Sequence, residues 1–373
     1  MSLLYLSLRQ NLSVRGKSAL GLRGNLNRSS YPCRRMSYSP SPPSPATFSS
    51  QLSASVDGII NNNKETSDLL VTGLNGAQDI SIKVVSCREV VQECILRNDI
   101  SPQGAKFLAE VLTCSMMMGA GLKGDETLQV NFVGSKGIKS AVAITDGDLK
   151  ARGMVGNTRF SVGGGVDVKT SDLLGEGQIQ VVRNHPSWKQ PMNGIVALRD
   201  AKVALNLALY MAESEQRSSV LLTDVRVDGN LCRHALGIMV ERLPGASDAN
   251  IETSIVNLEG VERKGLRAYL DRTDEERSQD NAMFRSMEGP LNSILDDCLG
   301  AMSADSIRWD KTPRFRCSCG IDKVWRTLRL LPREEVASLV SDPKDVEIKC
   351  EFCGETYLID KAQIEERILS EPK

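Results

Sequence analysis

The spacing of apolar positions changes several times along this chain, and each change marks an element. "QDISIKVVSC", residues 78–87, alternates apolar and polar side chains and predicts a strand. Ser101–Asp125 predicts a helix. Ser101 can cap it, Pro102 fits its first turn, and Gly119, Gly121 and Gly124 punctuate its end. Its middle is apolar on nearly every side, as a buried helix must be. Met116–Met118 reads as core filler, with an adaptable binding surface as the alternative. Short runs with strand character follow: "TLQVNFVG", "GIKSAVAIT", "ARGMVGN", "GQIQVVRN" and "NGIVALR". A second helix, Ala201–Gln216, would bury Val203, Leu207 and Tyr210, with Leu205 and Leu209 widening the face. A hairpin turning at Asp228–Gly229, with a strand ending at Pro244, completes a mixed α/β unit over residues 67–246.

Beyond Ala246 the pattern is different. Glu259–Asn281 is dense in charge and short of apolar anchors. Leu291, Ile294, Leu295, Cys298, Leu299 and Met302 then recur at i, i+3, i+4, i+7, i+8 and i+11, one helical stripe that must lie against something. Residues 247–310 are therefore expected to be a linker, charged and then amphipathic helical, docked on a neighbour. Residues 311–369 form a last, small unit. Ile321, Val324, Trp325, Leu328 and Leu331 give a helical face, Val346–Lys349 a short strand, and Asp360 with Gln363 a capping box for a final helix. Domains of roughly sixty residues are marginal alone and often need a metal or disulfides. The expected fold class is α+β, a mixed α/β body with a small tail unit.

Composition modifies this picture at the N-terminus. The first 56 residues hold no Asp or Glu, but six arginines, one lysine and a Ser/Pro stretch. That composition predicts an organelle transit peptide, with a disordered tail as the bland alternative. Its serines and prolines point to the chloroplast stroma, with the mitochondrial matrix as the alternative. Setting aside the leader's seven positive charges takes the formal charge from −1 to −8. An acidic chain is a poor general nucleic-acid binder. Stromal and matrix thiols are kept reduced, so the ten cysteines do not read as a disulfide scaffold. No run of about eighteen apolar residues predicts a membrane span.

Four cysteines stand in two short pieces of the tail, "FRCSCG" at 315–320 and "KCEFCG" at 349–354. Cys317, Cys319, Cys350 and Cys353 suit one Zn²⁺ in a tetrahedral tetrathiolate site that staples a unit with little core. The residues allow two readings. One is a permanent structural zinc. The other is a sensor, because thiolates are what oxidants attack and each pair has a partner thiol beside it. Enzyme motifs are missing: His185 and His234 sit in no metal or nucleophile pattern, and no G-x-S-x-G or Walker spacing occurs. No enzymatic activity is expected. A rival is a zinc-ribbon protein that binds nucleic acid through Arg326, Arg329 and Arg333, its zinc purely structural.

"RFRCSCGIDKVWRTLRLLPREEVASLV…VEIKCEFCGETYLID", "SMMMGAGLKGDETLQV", "ARGMVGN", "YMAESEQ" and "LPGA" together resemble the redox-regulated 33-kDa heat-shock chaperone family over residues 68–368. The resemblance implies an α/β N-terminal chaperone domain, a linker and a C-terminal zinc domain. It implies a zinc-bound, weakly active monomer when reduced. Under oxidation Cys317 would pair with Cys319 and Cys350 with Cys353, zinc would leave, and tail and linker would unfold. A homodimer would then hold unfolded client proteins without ATP, with no specific nucleic acid and no membrane as partner. Leu291, Ile294, Leu295 and Leu299 are expected to form part of the switch. Two stretches depart from the family: Val261–Gly289 is longer and more charged, and "PMNG" (Pro191–Gly194) has methionine in place of an aromatic. Among the remaining cysteines, Cys114 and Cys232 read as buried small hydrophobes, and Cys298 on the stripe as a further redox handle.

Overall fold

The alternation along the chain resolves into two large sheets around one nearly all-apolar helix. The computed structural model describes residues 67–163, 165, 168–270, 287–342 and 345–370. The expected leader (1–56) and the later part of the charged stretch (271–281) lie outside these residues. In chain order the elements are β1 (Leu69–Leu74), β2 (Ile80–Ser86), α1 (Arg88–Asn98), α2 (Pro102–Gly119), β3 (Thr127–Gly134), β4 (Ser140–Asp146), β5 (Lys150–Val155) and α3 (Thr170–Leu174). Next come β6 (Gly177–Asn184), β7 (Met192–Ala197), α4 (Val203–Ser214), β8 (Ser219–Asp228), β9 (Leu231–Arg242), α5 (Asp248–Lys264) and α6 (Glu288–Leu299). The tail supplies β10 (Ile307–Lys311), β11 (Arg314–Phe315), α7 (Ile321–Leu330), α8 (Arg333–Ser341), β12 (Val346–Lys349), β13 (Thr356–Ile359) and α9 (Lys361–Ile364).

The first sheet has five strands in the order β10-β1-β2-β9-β8, and the second six in the order β11-β5-β4-β3-β6-β7. Helix α2 is the expected buried helix. Ser101 Oγ accepts from Gly104 N at 3.3 Å and donates to Phe160 O at 2.6 Å, fixing its start. Met116, Met117 and Met118 are all buried in the core, as filler. Gly237 of β9 lets α2 approach: a Cβ there would lie 2.6 Å from Thr113 Cγ2.

Strand β2 is buried on both faces, and this is the key to the linker. Val85 faces the core around α2, whereas Ile80, Ile82 and Val84 belong to a second apolar cluster. Helices α5 and α6 cover that outer face. Leu291, Ile294, Leu295 and Leu299 are fully buried there, with Cys298 beside them and Met302 half-buried at the rim. Each such side chain contributes about 1.5–3 kcal/mol by leaving water. Helix α5 is held by its first turn. Asp79 of the β1–β2 loop accepts from Ser247 N at 3.1 Å and from Asn250 Nδ2 at 2.9 Å.

One expectation about this segment needs correction, and the segment ends in a strand. Glu259–Asn281 does have anchors: Val261 and Leu266 are buried in the second cluster, and Tyr269 and Leu270 pack against it. They continue a stripe from Ile251, Ile255 and Leu258, obscured in the sequence by charges on the solvent side. Ile307–Lys311, which spans the end of the expected linker (247–310) and the first residue of the expected tail, forms an edge strand that the sequence reading did not predict, Trp309 opposite Thr72. The tail's own cluster gathers Val324, Trp325, Leu328, Val336, Val346, Ile359 and Ile364. Ile321 of the expected face is exposed and Leu331 half-buried, because only the middle of α7 meets β12 and β13. Asp360 caps α9, but it accepts from Ala362 N, so the box with Gln363 is half formed.

Candidate metal and thiol centre

Strand β11 is only two residues long, and it ends next to Cys317. It lies parallel to β5, Arg314 N donating to Leu149 O and Arg316 N to Ala151 O, each at 3.0 Å. That fixes the first cysteine pair against the N-terminal body. The second pair sits in the β12–β13 turn. Gly354 N donates to Cys350 O and Cys350 N to Glu355 O, both at 2.8 Å, and Gly354 takes a φ of +73°, open to glycine at little cost.

These turns bring all four expected ligands together. The Sγ atoms of Cys317, Cys319, Cys350 and Cys353 lie within 4.8 Å of one another. Cys317 and Cys350 are 3.7 Å apart, Cys319 and Cys353 3.3 Å. Metal–sulfur bonds of about 2.3 Å in a tetrahedron place sulfurs about 3.8 Å apart. The thiols therefore fit one tetrahedral ion of thiophilic character, and a soft donor set without oxygen selects zinc over magnesium or calcium. Among the described residues, this is the one group of His, Cys, Asp and Glu side chains arranged to hold a metal.

The four sulfurs are not equivalent. Burial pushes the Cys317 and Cys353 thiols up. At Cys319 burial acts the same way but is outweighed by the Tyr357 hydroxyl and the Cys353, Cys317 and Cys350 thiols, so its thiol is held below the usual range. Tyr357 of β13 donates its hydroxyl to Cys319 Sγ at 3.2 Å. The centre is also tied to α1. Asn98 Nδ2 donates to Phe352 O at 3.0 Å, inside the second cysteine turn, and to Cys94 O at 3.1 Å. Arg152 lies 5.1 Å from the Phe352 ring centroid, and Arg97 lies 4.8 Å from that of Phe315.

The stripe of α6 is not at the metal centre. It lies on the first sheet, joined to the thiols through β10 and β11. The remaining described thiols stand apart: burial pushes Cys94, Cys232 and Cys298 up to about 12, and Cys87 and Cys114 up as well. Such thiols form thiolate slowly, so Cys298 is a poor redox handle while α6 is docked. His234 Nε2 is 3.0 Å from Asp224 Oδ1 and His185 Nδ1 is 2.7 Å from Ser187 Oγ; neither approaches the thiols. Arg333 of the proposed basic face donates to the carbonyls of Ile368 and Leu369, which turns that guanidinium inward. Sequence reasoning missed Tyr357, Asn98 and the β5–β11 pairing. For Tyr357 a signal was present, a polar aromatic four residues after the last ligand in a strand run.

The fold and the centre define a class, two-sheet α/β proteins that end in a four-thiol unit. The family model for Hsp33 protein matches residues 68–360, and the chain belongs to that family. A 33 kDa chaperonin of Citrifermentans bemidjiense is 27% identical over 311 residues, which cover 82% of this chain and 97% of the relative. A 33 kDa chaperonin of Lactobacillus delbrueckii is 25% identical over 304 residues, covering 80% and 96%. The crystal structure of the Thermotoga maritima 33 kDa chaperonin superposes with a TM-score of 0.66 at 20% identity, covering 81% of this chain and 97% of that one. The fold class is the expected one, and the family is a chaperone family. No helix among the described residues is long and apolar enough to cross a membrane.

Proposed function

We propose that this chain is a redox-regulated holdase, a chaperone that captures unfolded proteins without ATP when its thiol centre is oxidised. The observation that carries the reading is the convergence of the four Sγ atoms on one side of the N-terminal body, held there by short, breakable contacts. Zinc, when bound by Cys317, Cys319, Cys350 and Cys353, supplies a cross-link between two tail segments and keeps the sulfurs as thiolates.

The protein's own residues do the rest. Cys317 and Cys319 form one disulfide, Cys350 and Cys353 the other. Each takes two thiolates, one hydrogen peroxide and two protons from solvent: two electrons leave the sulfurs, the S–S bond forms, and the peroxide departs as two waters. The sulfurs are then lost as ligands. The cluster of Val324, Trp325 and Leu328 is too small to hold the tail alone, so β11 leaves β5. Loosening passes through β10 to α6, and Leu291, Ile294, Leu295 and Leu299 lift from the first sheet. Val71, Ile82, Val84, Leu236 and Ile238 come into view as a client surface. The reduced protein is a monomer and the oxidised one a homodimer. The acid-free leader directs the chain to an organelle, the chloroplast stroma by composition.

The test treats zinc-loaded protein with peroxide at mild heat and follows zinc release together with suppression of aggregation of an unrelated unfolding protein. Both should rise together. Zinc retained under oxidation would favour the purely structural site, and a salt-sensitive shift with RNA the nucleic-acid reading.

A further inference from the structure

An α-helix aligns its peptide dipoles, and its last carbonyls carry partial negative charge that no further turn satisfies. Helix α2 is 18 residues long and has no basic residue in its last turn. The cation that answers it comes from 191 residues away in the chain. Lys311 Nζ donates to Ala120 O, just past the helix, at 2.8 Å and to Gly147 O, in the β4–β5 turn, at 2.7 Å. These carbonyls belong to one packed corner, for a Cβ at Gly147 would lie 2.7 Å from Leu122 O.

Lys311 stands where the chain crosses from one sheet to the other. It ends β10 opposite Leu70, whose side chain lies in the core around α2. Three residues on, Arg314 opens β11 by donating its N–H to Leu149 O, in the same β4–β5 turn. Period-two alternation sends Arg308 to the opposite face of β10 from Lys311. There its guanidinium donates to Asp296 Oδ1 of α6 at 2.5 Å. Strand β10 is thus stitched to α2 on its inner side by Lys311 and to α6 on its outer side by Arg308. Neither stitch involves a thiol or a residue of the tail's own core.

We infer that Lys311 is a positioning residue for the cover, holding β10, and through Arg308 the helix α6, on the N-terminal body by contacts separate from the zinc centre. The inference rests on the proposed reading of α6 as the cover, and adds a second point of control over it. When β11 leaves β5, Lys311 is the contact that the loss meets on its way to β10. Its ammonium is held by two charge-assisted hydrogen bonds in a half-buried corner, and both must break before the strand moves. Lys311 therefore sets how readily opening of the tail becomes opening of the cover. Weakening it opens the cover while the tail stays closed.

The test separates cover from tail in the full, reduced, zinc-loaded chain. Lys311→Met keeps an aliphatic stem and removes the ammonium. Amide exchange over Glu288–Leu299 and Ile307–Lys311 should quicken at least tenfold, with β3 and β6 exchanging as in wild type. Zinc content should be unchanged, and so should the rate at which peroxide releases the metal from a separate sample. Lys311→Arg returns a cationic donor to the same carbonyls and should recover most of the protection. Wild-type exchange of α6 in Lys311→Met, or an arginine variant no better protected than the methionine one, would overturn the assignment. Zinc lost together with protection would overturn it by placing the effect in the tail. Quickening that spreads to β3 and β6 would do so by making Lys311 a general stabiliser of the fold. The exchange needs neither oxidant nor client, so failure of the redox reading leaves it standing, and failure of the Lys311 assignment leaves zinc release untouched.

Discussion

Leu295 of α6 closes over Gly73 of β1, so near that a Cβ at Gly73 would lie 2.8 Å from Leu295 Cδ1. The helix is seated on the sheet by a knob that uses the missing side chain as its hole. Leu295 is fully buried and has little room to yield. Docking of α6 therefore depends on a position far from the thiols in sequence, and the two can be separated by mutation.

Gly73→Val should release α6 without touching the metal centre. Overpacking of this kind costs about 1–3 kcal/mol. The variant should keep its zinc, lose hydrogen-exchange protection over Glu288–Leu299, and suppress aggregation while still reduced. Full protection of α6 in the variant would mean that the helix tolerates the added side chain.

Removing the hydroxyl at Tyr357 should loosen the centre from its outer shell. Tyr357→Phe keeps the ring in the tail's core but removes the hydrogen bond to Cys319 Sγ. Partners of this kind are typically worth a factor of 10–100 in metal affinity. Competition with a chromophoric chelator should show zinc lost more readily by that order, the circular dichroism of the loaded protein being unchanged.

Asn98→Ala should uncouple the second cysteine turn from α1. It deletes the hydrogen bonds to Phe352 O and Cys94 O, at a cost of about 1 kcal/mol. Zinc release under peroxide should become several-fold faster than in wild type, read by the same chelator. An unaltered rate would show that this contact does not restrain the tail.

Asp68 gives stability a pH dependence of its own. Buried beside the start of α1, it accepts from Glu89 N at 2.9 Å and Val90 N at 3.0 Å. Burial, with the Glu89 charge adding to it, outweighs those bonds and the Arg88 charge and pushes the carboxyl up to about 7. The folded protein thus holds this proton more tightly than the unfolded chain. The resulting stabilisation is complete below about pH 4 and disappears as pH rises through 7, with a ceiling of about 4 kcal/mol for three pKa units. Subtracting the urea stability of Asp68→Asn from that of wild type across pH 4–8 should leave a difference that falls with rising pH. A flat difference would contradict the assignment.

The thiol centre and the α6 stripe were legible in the sequence because both are local patterns. Two short Cys-x-Cys and Cys-x-x-Cys pieces and one i, i+3, i+4 repeat need no knowledge of the rest of the chain. Strand β10 was not legible. Its apolar–polar alternation, Ile307-Arg308-Trp309-Asp310, runs for only four positions and buries neither side, and the strand exists because β1 offers an edge. The β11–β5 pairing joins segments more than 160 residues apart and leaves no trace in either. Helix α1 hides its apolar face, Val90, Val91, Cys94 and Ile95, in a short run otherwise polar and charged. The contacts that tie the centre to the body were therefore the part that only the fold revealed.

Amide hydrogen exchange across α6, followed by mass spectrometry in zinc-loaded protein and again after peroxide has removed the metal, tests the whole account. The helix Glu288–Leu299 should lose at least a hundredfold of its protection as zinc departs. If the metal is gone, both disulfides are formed and those amides exchange no faster than before, the thiol centre does not control the cover.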